Sequence, residues 1–281
     1  MKTFITRALS AIVFAAIMIF ATYYSEKTFV LLLILIAAGC SIEWMRLFKQ
    51  SFSVKWIRVC YTVCITLINM VLASVLYYRT VYLVYALPAC FVLLISVCCL
   101  EFLSDEGEFI KRLGILFGAV FFIGIPLLSM YLASFQKLSA DAMAYNPWKI
   151  LCPVVLVWVN DSFAYISGTL IGKHPLAKKI SPKKTIEGLI GGGLFTIFAA
   201  FVFYFYGKFS FYSFTEWLVI GAIVFLFGTL GDLMESKIKR SLQIKDSGSI
   251  LPGHGGFLDR FDAMLFVMPP VAILNIVCSI H

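Results

Sequence analysis

Stretches of about 20 residues almost free of charge recur along the whole chain, and they restrict its folding more than any other feature. A helix rises 1.5 Å per residue, so about 20 apolar residues cross a hydrocarbon core of about 30 Å. Only helices and closed barrels satisfy their own backbone groups there. Nine such stretches are present, at 8–24, 28–44, 57–78, 81–103, 113–135, 150–171, 186–206, 217–233 and 261–280. The expected fold is therefore all-α, a polytopic integral membrane protein with about nine transmembrane helices. Composition agrees: 61% of the 281 residues are hydrophobic and 14% are charged, against about 25% charged in soluble domains. That charge cannot cover a soluble surface. It excludes an ordinary soluble enzyme, a disordered chain and a nucleic-acid-binding domain, despite a net charge of +8. The bilayer is the expected partner, and no nucleic acid is. Tyr23, Tyr24, Tyr77, Tyr78, Trp148 and Trp217 lie near span ends, where aromatic side chains favour the interface.

Placing the N-terminus in the cytoplasm puts 18 Lys and Arg residues on cytoplasmic segments and 5 on the other side, as the positive-inside rule requires. Lys2 and Arg7 before an apolar run resemble a signal peptide. Further spans follow at once, so a retained first helix is expected. The eight cysteines lie in or beside apolar segments with no C-x-x-C spacing. They read as small buried apolar residues, neither a disulfide frame nor a zinc site.

Chemistry concentrates in the second half. Residues 1–149 read as membrane-embedding helices to which no chemistry is assigned; Glu43 and the other acids there fall in loops or at segment ends. Residues 150–281 read as the catalytic part. Asn160 and Asp161 interrupt an apolar run, and polar groups at that depth are functional by default. The stretch Ser181-Pro182-Lys183-Lys184-Thr185-Ile186-Glu187-Gly188 follows. Pro182 keeps Ser181 out of the helical region. Either Thr185 or Ser181 is placed to cap the next helix, and Lys183 and Lys184 add positive charge beside its N-terminus, an arrangement suited to phosphate. Gly188 and Gly192 have the small-xxx-small spacing of close helix packing.

The richest stretch runs from Gly231 to Asp262. If the helix continues past the membrane, Asp232, Glu235, Ser236 and Lys239 form one polar stripe. Asp259 and Asp262 are three apart and share a face of the last helix. Carboxylates from separate helix ends suit a hard divalent cation such as Mg²⁺, which takes one or two carboxylates and completes its shell with water and phosphate oxygens. Lys239, Arg240, Lys245 and Arg260 supply charge for phosphate. Gly253, Gly255 and Gly256 let the backbone turn tightly, and His254 between them is placed to donate to a phosphate or move a proton.

Ser236, Lys239, Arg240, Lys245, Asp246, Gly248, Leu251, Pro252, His254, Gly255, Gly256, Asp259, Arg260 and Asp262 fill every fixed position of a pattern. That pattern resembles the signature of the CDP-diacylglycerol synthases, or phosphatidate cytidylyltransferases. Asn160-Asp161-Ser162, Ser181 to Thr185 and Gly231-Asp232-Leu233 resemble the same family, whereas Ile186 stands where many relatives carry Trp. The resemblance implies that the cytidylyl group of CTP is transferred to phosphatidate, giving CDP-diacylglycerol and pyrophosphate. It implies Asp232 and Asp259 as Mg²⁺ ligands with Asp262 as a third or as an orienting group, and room for a second cation. Lys239, Arg240 and Arg260 would hold phosphates. Lys183, Lys184 and Thr185, with Ser181, Glu187 and Ser236, would bind the triphosphate or lipid head. Asn160 and Asp161 would line the pocket, and Lys245 and Asp246 would order the loop or touch nucleotide. A bacterial inner membrane, a site facing the cytoplasm and a homodimer are the expected setting. Two rival readings are a polyprenyl-phosphate transferase and an anion transporter. The D-x₂-D-G-x₂-A-R pattern of CDP-alcohol phosphotransferases is absent, and no inverted repeat is visible.

Overall fold

The computed structural model describes residues 2–51, 109–139, 142–206, 209, 211–244, 247–248 and 256–280. The expected spans 57–78 and 81–103 lie outside these residues. Helix α1 is Lys2–Tyr24 and α2 is Glu26–Leu47, followed by a 3₁₀ turn, Lys49–Ser51. Helix α3, Phe109–Ala119, runs through a π-helical turn, Val120–Gly124, into α4, Ile125–Ala133. The hairpin β1–β2, Phe135–Ser139 and Ala142–Tyr145, leads to α5, Trp148–Ile171. A second hairpin, β3–β4, Pro175–Ala177 and Ser181–Thr185, leads to α6, Ile186–Phe205. Helices α7, Phe214–Ser241, and α8, Leu258–Ile280, complete the order.

Among the described residues, 6 helical segments are long and apolar enough to cross a membrane: Glu26–Leu47, Ile110–Ala133, Trp148–Ile171, Ile186–Phe205, Phe214–Ser241 and Leu258–Cys278. The protein is a mostly helical, multi-pass membrane protein. Two short antiparallel hairpins join helices within this otherwise helical chain. Each closes within a short connection between helices, so its backbone groups pair locally.

The helix ends follow from local sequence. Ser25 caps α2 in a capping box with Thr28, and Ser213 caps α7 in one with Glu216. The π turn precedes Pro126, whose ring cannot fit under the carbonyl four residues back in a regular helix. Pro153 in α5 and Pro269-Pro270 in α8 lie within helices, as membrane helices tolerate when neighbours satisfy the freed carbonyls. At 28 residues, α7 is about 42 Å long, more than the hydrocarbon core needs. It therefore carries the stripe from Asp232 to Lys239 on one continuous helix.

The chain divides into two compact units, Met1–Leu132 with Asp246–Arg260, and Ala133–Lys245 with Phe261–His281. In the first, Phe29, Leu33, Ile36, Ala37 and Cys40 of α2 are fully or almost fully buried. The Trp44 indole stacks on Phe122 at 5.7 Å and donates to the Ile115 carbonyl at 2.9 Å. The second unit is built on α5, α6 and α7. Its α5–α6 contact is set by glycine: a Cβ on Gly188 would lie 2.6 Å from the Ala164 carbonyl, and one on Gly192 2.8 Å from the Asn160 carbonyl. Phe163 and Phe195 stack beside this seam at 3.8 Å. The outward face of α6, with Ile190, Leu194, Phe198 and Phe205, is exposed and apolar, as a lipid-facing helix must be.

Gly192→Ala should therefore destabilise the protein by about 1–3 kcal/mol, because the obstructing atom is backbone and cannot swing aside. Gly114→Ala meets nothing within 4 Å and should not lower stability. Thermal unfolding in detergent compares the two.

Candidate active site

A cavity of about 760 Å³ opens in the second unit between α5, α6, α7 and the β3–β4 hairpin. Its polar lining is Asn160, Asp161, Ser181, Lys183, Lys184, Thr185 and Asp232, and its apolar lining includes Ala164, Leu176 and Leu189. Six of the substrate-binding residues expected from sequence thus meet one expected catalytic carboxylate.

Each side chain reaches the cavity for a local reason. Asn160 and Asp161 lie midway along α5, Asn160 buried and Asp161 open to the cavity. The Thr196 hydroxyl donates to the Gly192 carbonyl at 2.8 Å and its oxygen lies 3.5 Å from Asn160 Oδ1, the α5–α6 approach at Gly192 placing the two side by side. Lys183 and Lys184 lie on β4, held by its antiparallel pairing with β3. The strand ends where α6 begins, and Thr185 is the cap, its Oγ1 accepting from the Gly188 amide at 3.1 Å. Of the two candidate caps, Thr185 takes the role. Gly168 and Gly188 both abut that hydroxyl, so small residues on α5 and α6 leave it room.

Asp232 stands where α7 meets this layer. Its carboxylate pairs with the Lys184 ammonium and accepts from the Ser236 hydroxyl at 3.3 Å. One turn on, Glu235 pairs with Lys239 at 2.6 Å, with both side chains largely buried. A Cβ on Gly231 would lie 2.5 Å from the Asp262 carbonyl. This close approach of α7 and α8 brings Asp262 within electrostatic range of Asp232, Glu235 and Asp161. The Asp262 Oδ1 accepts its neighbour's amide, Ala263, at 2.7 Å. Four carboxylates thus gather in one unit, with Lys184 and Lys239 as their ion-pair partners, and neither Asp161 nor Asp262 forms an ion pair among the described residues.

Other expected residues are used differently. The Glu187 carboxylate accepts from the amides of Lys173 and His174 at 3.1 and 3.2 Å and meets His174 Nδ1 at 2.6 Å. It fastens the turn before β3. Arg240 donates to the carbonyls of Ile180 and Ile244 at 3.4 and 3.1 Å, joining the hairpin to the end of α7. Asp259 and Arg260 belong to the first unit. There Asp259 accepts from the amides of Ser247 at 3.1 Å and Gly256 at 2.8 Å. Lys245, Asp246 and His254 lie outside the described residues.

The sequence reading missed Glu43. It is not at a loose segment end: it lies inside α2 and is fully buried. Its Oε2 accepts from the Ser247 hydroxyl at 3.1 Å and the Leu258 amide at 2.9 Å, within the first unit. The available signal was its place in the apolar run 28–44, the criterion that singled out Asp161.

No cluster of three or more His, Cys, Asp or Glu side chains forms a ready-made metal cage among the described residues. The acids at Asp232 and Asp262 nevertheless suit a hard divalent cation in donor type and charge, since Mg²⁺ keeps several waters and shares its shell with substrate phosphate.

The cytidylyltransferase family model matches residues 5–278. The chain belongs to this family. It is 43% identical over 160 residues to a phosphatidate cytidylyltransferase of Staphylococcus haemolyticus (strain JCSC1435), and 41% identical over 160 residues to one of Staphylococcus aureus (strain COL). A third, from Staphylococcus epidermidis, is 42% identical over the same length. Each match covers 56% of this chain and 57% of the relative's length. The family recognition drawn from the signature therefore stands.

Thr185→Ala should lower stability by about 1 kcal/mol through loss of the α6 cap, whereas Thr185→Ser should keep it. Thermal unfolding of the two variants in one detergent checks this.

Proposed function

We propose that this cytidylyltransferase-family member transfers the cytidylyl group of CTP to phosphatidate, forming CDP-diacylglycerol and pyrophosphate in phospholipid synthesis. The observation that carries this reading is the cavity where Lys183 and Lys184 of β4 face Asp161 of α5 and Asp232 of α7. Lysines for phosphate and carboxylates for a cation share one space, with apolar walls beside them. The names of the staphylococcal relatives support the same reaction.

In the proposed step, a phosphate oxygen of phosphatidate attacks the α-phosphorus of CTP. A new P–O bond forms, the bond to the β-phosphate oxygen breaks, and pyrophosphate leaves with the electron pair. The attacking phosphate is already anionic at neutral pH, so no side chain must act as nucleophile. The chain's contribution is position and charge. Lys183 and Lys184 draw anionic groups to the capped start of α6. The Lys184–Asp232 pair holds the ammonium in place before substrate arrives. Asn160 lines the cavity beside Thr196, where α5 and α6 meet. Lys239 and Arg240 extend positive charge along α7, and Ala164, Leu176 and Leu189 suit the glycerolipid.

Of the expected ligands Asp232, Asp259 and Asp262, the pair Asp232 and Asp262 share the second unit and would hold Mg²⁺. A bound Mg²⁺ would neutralise phosphate charge and stabilise the developing charge on pyrophosphate. The lysine distribution favours a site facing the cytoplasm, where CTP is found, in a bacterial cell membrane, and nine spans remain the proposed topology.

The test is an assay with the detergent-solubilised, folded protein, radiolabelled CTP, phosphatidate and Mg²⁺. A CDP-lipid should form, and a polyprenyl phosphate should not replace phosphatidate. Absence of product from folded protein would end this reading. Asp232→Asn should insert normally and lose about 100-fold or more in kcat, the scale on which a preorganised electrostatic contact acts. Wild-type turnover in that variant would remove Asp232 from the site.

A further inference from the structure

Glu43 is a carboxylate buried in the half of the chain to which the sequence assigned no chemistry. Burying a carboxylate is expensive unless donors are aimed at it, and its donors come from far along the chain. Ser247 and Leu258 are 204 and 215 residues away in sequence. Both flank the segment 249–255, which carries His254 of the signature.

The same carboxylate accounts for two signature glycines. A Cβ on Gly248 would lie 2.5 Å from Glu43 Oε1, and one on Gly256 would overlap Glu43 Oε2 and the Ser247 hydroxyl. A side chain at either position would push the Glu43 carboxylate off its donors. Asp259 closes the arrangement from the other side, accepting the amides of Ser247 and Gly256. Residues 247–248 and 256–258 are therefore fastened by two acids, one from α2 and one from the first turn of α8.

We infer that Glu43 is a positioning residue: it anchors Ser247 and Leu258, and with them the signature residues Gly248, Gly256 and Asp259, in one arrangement for the reaction. This inference rests on the proposed cytidylyl transfer for its kinetic consequence, but the anchoring has a readout of its own. A misplacement of about 1 Å costs about 100-fold in rate, so the effect belongs in kcat.

The experiment combines kinetics with amide hydrogen exchange on the full-length protein in detergent. Glu43→Leu should lower kcat about 100-fold and leave the KM for CTP within about threefold. Peptides covering 247–248 and 256–260 should exchange about tenfold faster or more, with α6 and α7 unchanged. Glu43→Gln keeps one oxygen to accept both bonds and should restore kcat to within about tenfold of wild type. Wild-type kcat and exchange in Glu43→Leu would overturn the inference. If Glu43→Leu does not insert, Ser247→Ala removes one bond from the loop side: faster exchange around 247–248 supports the anchor, and wild-type exchange there overturns it. Faster exchange in Glu43→Leu with no turnover in wild type would sink the proposed reaction and leave the anchor standing. Turnover in wild type with unchanged exchange in Glu43→Leu would do the reverse.

Discussion

Charge inside an apolar helical protein must be paired or given an ion to hold, and the pairing of Lys184 with Asp232 meets that demand on the wall of the second unit's cavity. The contact joins β4 to α7 across 48 residues of sequence. It fixes the hairpin against the helix and gives the cavity its mixed lining. Asp161 lies within electrostatic reach of Lys184 and accepts from Asn160, and Asp262 stands near three other carboxylates. A bilayer protein retains ionisable groups at this depth where they serve an ion or substrate.

Helix packing makes this arrangement possible. Gly188 and Gly192 let α5 and α6 approach until a methyl group would meet a carbonyl. Gly231 does the same between α7 and α8. Without a hydrophobic drive between helices in lipid, such close backbone contact is a main source of helix association. The glycines thus act on the site indirectly, by setting how near Asp232 stands to Asp262 and Asn160 to Thr196. In the first unit Gly248 and Gly256 play a related part, making room for a carboxylate where the others make room for backbone.

Sequence periodicity and polarity exposed much of this. The described spans begin and end within a few residues of the apolar runs, and α7 does continue through Ser241, so the stripe from Asp232 to Lys239 exists. Asp161 and Asp232 stood out because each interrupts an apolar stretch. The hairpins did not stand out, since their strands are short and lack alternation of apolar and polar residues. Glu43 was passed over because it lies near the end of its run, where an acid looks solvated. Its partners follow it by more than 200 residues, and no local pattern encodes such a pairing. Glu187 and Arg240 carry residue types suited to a site, yet Glu187 holds two backbone amides and the His174 ring, and Arg240 donates to backbone carbonyls.

In the proposed reaction the acids of α7 and α8 gather a divalent cation and so collect the phosphates. Mn²⁺ binding to the purified protein, followed by electron paramagnetic resonance, tests it without reference to turnover. Wild-type protein should immobilise Mn²⁺, and the double variant Asp232→Asn/Asp262→Asn should not. Equal Mn²⁺ binding by the two proteins would contradict the account.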